Sequence, residues 1–294
     1  MPLTDASQVR IDAVMWPDSS WPTLRQEWLD AERLGIQRGW LYDHLALSGR
    51  PAFHDAYVSL SAAAEATSTI GLGTMVTAPN FRHPATTAKA ALALHEISAG
   101  RFVLGLGAGG AGVDSDAIAE PGLARADRTA RFAEFVGTTS RLLKEQRVDI
   151  EGRFFAARNL DLGGGAGACP GVAVAGTGRK GMELAARHAS MWITQDVVQD
   201  PRVGAPTAYE EVSRQVVILD EVLAASGRGT TVARLVVLGY GGEQPLASLE
   251  SFRDCIGRYA ALGFETIAVL WPRGQHAAAQ RDVLEAGLAE LADH

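Results

Sequence analysis

The sequence predicts an α/β fold, a (β/α)8 TIM barrel formed by a single domain over residues 1–294, with loop insertions at the strand C-termini. Three observations carry that reading. Short aliphatic or β-branched runs alternate with longer stretches of helical period, the order expected of parallel strands joined by helices. Eight such pairs can be laid along the 294 residues, which suits a barrel of typically about 250 residues better than a doubly wound sheet with a second domain. No composition shift, repeat or low-complexity linker divides the chain.

The elements follow in order. Val9–Met15 reads as the first strand, and the helix near Thr23–Leu34 stops at Gly35, a residue suited to the left-handed position after a helix. Gly39–Tyr42 is the second strand, Ala56–Ala66 a helix, Thr69–Val76 the third strand, Pro84–Ile97 a helix and Arg101–Gly105 the fourth strand. A glycine-rich turn at Gly105–Gly112 leads to a long amphipathic helix around Arg125–Gln146, and Val148–Leu162 reads as a small β excursion. Val172–Ala175, Met191–Thr194, Thr231–Leu238 and Glu265–Trp271 complete the eight strands. Their helices are Gly178–His188, Tyr209–Ala225, Leu249–Leu262 and Gln275–Leu291.

Composition removes several function classes. With 47% hydrophobic and 21% charged residues the chain can bury a large core. A net charge of -7 without any Lys/Arg cluster argues against a nucleic-acid partner, since a phosphate backbone is gripped through clustered cations. No apolar run reaches the ~18 residues of a membrane span, and Met1–Arg10 lacks the basic-then-apolar order of a signal peptide. A cytoplasmic protein is expected. Cys169 and Cys255 stand alone, so neither a disulfide framework nor a Cys-based zinc site is indicated. His44, His54, His83 and His95 form no HxH pair, and no metal is expected. Of the three lysines only Lys180 falls near a strand end, and it reads as helical, which disfavours Schiff-base chemistry.

A barrel places its chemistry after the C-terminal ends of its strands. Asp43 and His44 follow the second strand. They read either as an acceptor beside a proton-exchanging group or as a cap beside a hydrogen-bonding histidine. After the third strand, Pro79 and Pro84 bracket a loop in which Asn80 and Arg82 can donate hydrogen bonds, although spacing alone favours a plain turn that ends in the N-terminal proline of the next helix. The fourth strand runs into Gly105-Leu106-Gly107-Ala108-Gly109-Gly110. This run formally contains G-x-G-x-x-G, but polar residues such as Asp114 and Ser115 follow it where a dinucleotide fingerprint would open a helix. It reads as close approach of backbone to a flat ligand, or as a simple turn. The fifth strand ends in Ala175-Gly176-Thr177-Gly178-Arg179-Lys180 and passes straight into a helix. Small residues, a helix N-terminus and the donors Thr177, Arg179 and Lys180 make a phosphate cradle, against a glycine turn before a basic pair as the plainer reading. Thr194, ending the sixth strand, can add a hydroxyl. The implied ligand is elongated, planar at one end and phosphorylated, as a flavin-like cofactor is.

Six segments carry a family resemblance: LYDHL (Leu41–Leu45), GTMVTAPNFRHPATTAKA (Gly73–Ala90), ISAGRFVLGLGAG (Ile97–Gly109), RADRTARFAEFV (Arg125–Val136), EGRFF (Glu151–Phe155) and VAGTGRKGMELAARHASMWIT (Val174–Thr194). In that order they resemble the bacterial luciferase-like monooxygenase superfamily, and within it the oxidoreductases that use the deazaflavin coenzyme F420. The resemblance implies a homodimer of barrels with the cofactor at the strand C-termini, Asp43 touching the deazaflavin and His44 beside its reactive face. It implies a bulge with a non-prolyl cis peptide at Met75-Val76 behind the ring and the phosphate on Gly176, Thr177 and Gly178, with Thr194 as a further candidate; Gly107, Ala108 and Gly109, and Ala175 and Arg179, join the expected cofactor site from the strand-end reading above. Related sugar-phosphate dehydrogenases carry a Glu where this chain has Gly110, and an aromatic where Leu47 and Ser48 stand, so sugar-phosphate oxidation is not expected. The expected activity is hydride transfer between the deazaflavin and a small apolar or carbonyl-type substrate, with His44 as proton donor or acceptor. The rival readings are an FMN-dependent monooxygenase on the same fold and a non-catalytic cofactor-binding protein.

Overall fold

The structure, a computed structural model, describes residues 9–47, 53–110, 112, 114–120, 122–165, 167–197, 207–227 and 232–292. Ser48 lies outside the described residues, as do the ends of the chain and Thr231.

Eight parallel strands close into a barrel: β1 (Arg10–Met15), β2 (Arg38–Leu41), β3 (Gly71–Thr74), β4 (Phe102–Leu106), β7 (Gly171–Ala175), β8 (Met191–Gln195), β9 (Ala233–Leu238) and β10 (Thr266–Leu270). Each pairs with its neighbours in sequence order, and β10 returns to β1 with Arg10 opposite Thr266. The helices α1 (Trp21–Arg33), α2 (Ala56–Ala66), α3 (Pro84–Ile97), α4 (Arg125–Lys144), α5 (Arg179–His188), α6 (Ala208–Ser226), α7 (Leu249–Ala261) and α8 (Ala277–Ala292) connect them. The expected barrel is therefore the observed one. The β excursion is an antiparallel hairpin of β5 (Arg147–Glu151) and β6 (Ala156–Asp161). It follows α4 and precedes β7, and its turn runs back along α4, with Arg153 paired to Asp127 in the first turn of that helix and Phe155 against His83 at the start of α3. Glu134 of α4 holds its turn by accepting the N–H groups of Arg153, Phe154 and Phe155.

Local chemistry explains the helix ends. Asp55 caps α2 by accepting from the Tyr57 and Val58 amides, Pro84 sits in the first turn of α3, and Thr207 with Glu210 forms a capping box on α6. Gly35 takes φ +85 after α1, as its place after a helix led one to expect.

Strand alternation splits the core in two. Ile11, Ala13 and Met15 of β1 face the helices, whereas Val14 points into the barrel beside Trp40, Met75, Ile193, Leu235 and Val237. Trp40 is fully buried there, and its ring fits because Gly73 has no Cβ, which would lie 2.4 Å from the indole. Lower in the barrel the Trp40 Nε1–H donates to Asp12 at 2.7 Å.

The third strand is shorter than Thr69–Val76. Regular pairing stops at Thr74, the Met75–Val76 peptide is cis, and contact with β4 resumes at Thr77, opposite Leu106. The interruption leaves Met75 and Val76 at the barrel mouth.

Candidate active site

Three of the connections at the strand C-termini are long: those from β2 to α2, from β4 to α4 and from β8 to α6. Beneath them lies a cleft of about 450 Å³. His44, Met75, Val76, Gly107, Ala108 and Gly109 line one side; Ala175, Gly176, Thr177 and Thr194 line the other. Tyr42, Gln195 and Tyr240 also face it. Residues distant in sequence thus meet in one place because every strand delivers its C-terminal end to the same rim.

The glycine run after β4 has a structural cause beyond the two readings open at the level of sequence. A Cβ on Gly105 would lie 2.0 Å from the Thr74 carbonyl oxygen, and one on Gly107 would lie 2.2 Å from Val76 Cγ2. The glycines make room for the irregular end of β3. Gly109 has φ +72, and a Cβ there would meet the Asn80 side chain at 2.5 Å. Asn80 in turn donates to the Gly110 carbonyl at 3.1 Å and accepts from Arg131 at 2.8 Å, so the loop after β3 braces the loop after β4.

At the other end of the cleft, α5 begins with Gly178 as N-cap and has no side-chain cap. Gly176 packs against Gly181, with a Cβ excluded at 2.9 Å from the Gly181 Cα, while the position at Gly178 opens onto free space. The first amides of α5 are therefore presented at the cleft's end without a capping oxygen, an arrangement that suits an anion. Thr194 is buried and donates its hydroxyl hydrogen to Gln215 of α6.

Asp43, Gly178 and Arg179 do not line the cleft. Asp43 is 1% exposed and is occupied by the protein: Arg82 donates to both carboxylate oxygens (2.6 and 3.1 Å) and Thr77 adds a third bond at 2.8 Å. Burial pushes the Asp43 carboxyl up, against the pull of Arg82 and Thr77. Arg82 also donates to Asp55 at 2.7 Å, tying the loop after β2 to the cap of α2. The Tyr57 hydroxyl donates to Thr77 at 2.8 Å and completes the chain of bonds. Arg179 turns outward and pairs with Glu221 of α6. An exposed carboxylate on the neighbouring helix thus engages the side chain from which a phosphate contact is expected.

His44 is held at the rim by a partner that sequence spacing did not reveal. Its Nδ1 lies 2.9 Å from Asp114 Oδ2, and the Leu45 amide donates to Asp114 Oδ1 at 2.8 Å. Tyr240 is placed by Asp196, which accepts the amides of Gly239, Tyr240 and Gly241 at 3.0 to 3.2 Å. Among the described residues no three His, Cys, Asp or Glu side chains converge to hold a metal ion. No helix among them is long and apolar enough to cross a membrane.

Residues 15–239 match the family model for luciferase-like monooxygenases. The chain is 32% identical over 168 residues to an F420-dependent hydroxymycolic acid dehydrogenase of Mycobacterium tuberculosis, a match covering 56% of this chain and 46% of that one. It is 34% identical over 137 residues to an F420-dependent glucose-6-phosphate dehydrogenase of Intrasporangium calvum, covering 45% and 41%. The chain thus spans about half the length of the curated relatives it matches. The oxygenating constituent of 3,6-diketocamphane monooxygenase from Pseudomonas putida, solved with FMN, has the same fold: TM-score 0.73 and 17% identity over 97% of this chain and 98% of that one. With the family model covering most of the barrel, the chain belongs to the luciferase-like monooxygenase family.

Proposed function

We propose that this protein is a coenzyme F420-dependent oxidoreductase moving a hydride between the deazaflavin and a small apolar or carbonyl-type substrate. The observation that carries the reading is the layout of one cleft. A wall of Met75, Val76 and Gly107 lies between His44 and the uncapped start of α5. The residues fit the cofactor: glycine backbone admits a flat ring, and the α5 amides beyond Gly176 and Thr177 offer donors to a phosphate. Relatives named as F420-dependent support the choice of deazaflavin.

When bound, the deazaflavin supplies the two-electron step, and the protein supplies orientation and electrostatics. Met75, Val76 and the Gly107–Gly109 backbone would back the ring. Gly176, Thr177 and Gly178 would hold the phosphate by N–H and hydroxyl donation. His44 exchanges a proton with the substrate oxygen through Nε2, its Nδ1 being engaged by Asp114. Asp43 contributes at one remove, by fixing the loop that carries His44. Gly110, which offers no side chain, argues against the sugar-phosphate substrate of the second relative. The same reading takes residues 1–294 as one domain, working as a homodimer in the cytoplasm without nucleic acid.

Fluorescence titration of the purified protein with coenzyme F420 and with FMN tests this. Tighter F420 binding is expected, and tighter FMN binding would move the protein to the FMN monooxygenases, since deazaflavins react poorly with oxygen. In His44→Ala, F420 binding is expected within about twofold of the parent while turnover falls about 10²–10⁴-fold. Unchanged turnover would remove His44 from the chemistry, and absence of any redox activity with retained binding in the parent would favour a non-catalytic carrier.

A further inference from the structure

His44 and Asp114 sit 70 residues apart in sequence, yet a single carboxylate grips both the ring and the adjoining backbone of the histidine's loop. Asp114 is 4% exposed and its ion-pair partner is His44. Its φ of +65 places it in the left-handed region, where Asp is among the few side-chain-bearing residues found with any frequency. The backbone continues from there into a short turn, with the Ala117 amide donating to the Asp114 carbonyl at 3.1 Å. That conformation aims the carboxylate back across the β4–α4 connection at the loop after β2.

A carboxylate can only accept hydrogen bonds, and Asp114 Oδ1 already receives the Leu45 N–H. With Oδ2 2.9 Å from the ring, Nδ1 must carry the imidazole proton. Nε2 is then the basic nitrogen at the cleft, on a side chain that is 28% exposed. We infer that Asp114 is a positioning residue: it fixes His44 as the Nδ1-protonated tautomer and makes Nε2 the proton acceptor of the site. The second-group logic is that of any catalytic base oriented by a buried carboxylate.

The placement also bears on substrate. The glycine run after β4 ends at Gly110, which offers no side chain to the cleft. Here the carboxylate of the same connection stands behind the histidine and does not line the cleft. Among the described residues His44 is then the imidazole or carboxylate group that lines the cleft, which suits proton exchange with an uncharged alcohol or carbonyl compound. This inference rests on the reading of His44 as the proton-transfer group, but its test does not require turnover.

The test is ¹⁵N NMR of histidine-labelled protein at mildly alkaline pH, with the His44 signals assigned by their loss in His44→Gln. The parent is expected to show Nδ1 protonated and Nε2 bare. In Asp114→Asn the side-chain oxygen keeps the Leu45 N–H, which turns the amide NH2 toward Nδ1 and drives the proton to Nε2. Reversal of the two ¹⁵N signals supports the inference, with F420 affinity within about twofold of the parent. A parent that carries its proton on Nε2, or an Asn variant that keeps it on Nδ1, overturns it. Should Asp114→Asn not fold, the parent spectrum alone still decides. Failure of the parent to bind F420 would count against the cofactor assignment and leave the tautomer result standing.

Discussion

At the mouth of the barrel Asp43 accepts two hydrogen bonds from Arg82 and one from Thr77, while lower down Asp12 accepts from the Trp40 indole and the Arg38 backbone and feels the Arg38 and Arg10 guanidinium groups only through their fields. Both carboxyls are 1% exposed. The upper one belongs to a network that continues through Arg82 to Asp55 and the cap of α2, and so orders the loop presenting His44. The lower one meets neutral donors, the Trp40 indole and the Arg38 backbone, and burial pushes it up to about 6. Burial pushes both carboxyls up; at the mouth a directly bonded guanidinium opposes that push, whereas in the closed lower barrel, packed around Trp40, only neutral donors and more distant charge do.

The largest expected effect breaks the upper network. Arg82→Ala leaves Asp43 buried beside Thr77 alone, and a loss of about 3–5 kcal/mol is expected in urea unfolding. Asp43→Asn in the same chain should recover part of it, because the uncompensated charge is gone. A loss below about 1 kcal/mol would show that the mouth does not depend on this pair.

Next comes the pH dependence at the lower end. The Asp12 carboxyl rises from 3.8 to about 6 on folding, so between those values the native state binds more protons than the unfolded chain. Its contribution therefore falls as pH rises through this window, by about 3 kcal/mol at ~1.4 kcal/mol per unit. Asp12→Asn should flatten that slope in stability curves taken from pH 4 to 6.5. Glu32 has the opposite sign: it accepts the amides of Ser68, Thr69 and Ile70, which hold its carboxyl down at about 2. Its stabilisation is present above 4.5 and is lost as pH falls toward 2. A stability profile whose low-pH side is unchanged in Glu32→Gln would contradict this.

The smallest effect is expected at Arg179. Its pair with Glu221 is exposed on both sides, so Arg179→Ala should change stability by less than about 1 kcal/mol. F420 affinity should stay within about twofold. A tenfold loss of affinity would return Arg179 to the phosphate cradle and weaken the view that backbone donors suffice there.

Much of this architecture was legible along the chain. Alternating runs located all eight barrel strands, and the small-residue turn after β7 pointed to the uncapped start of α5, because both signals are local. The run Thr69–Val76 overshoots the strand Gly71–Thr74 because no periodicity separates Met75 and Val76 from it; only the family resemblance sets that pair apart, as the cis peptide that the structure has. Glycines 105 and 107 announced close contact, but only the fold identifies what comes close: the carbonyl of Thr74 and the side chain of Val76.

The sequence by itself determined the order of strands and helices, hence the barrel, and so the rim at which Asp43, His44, Gly107 and Gly176 gather. Hydrophobic period and turn residues act over a few positions and are written in the chain. Only the tertiary structure decided which of those residues face the cleft. Asp43 turned to Arg82, Arg179 to Glu221, and His44 acquired Asp114. A polar side chain bonds to whichever group the fold brings within about 3 Å, and for His44 that partner lies 70 residues away.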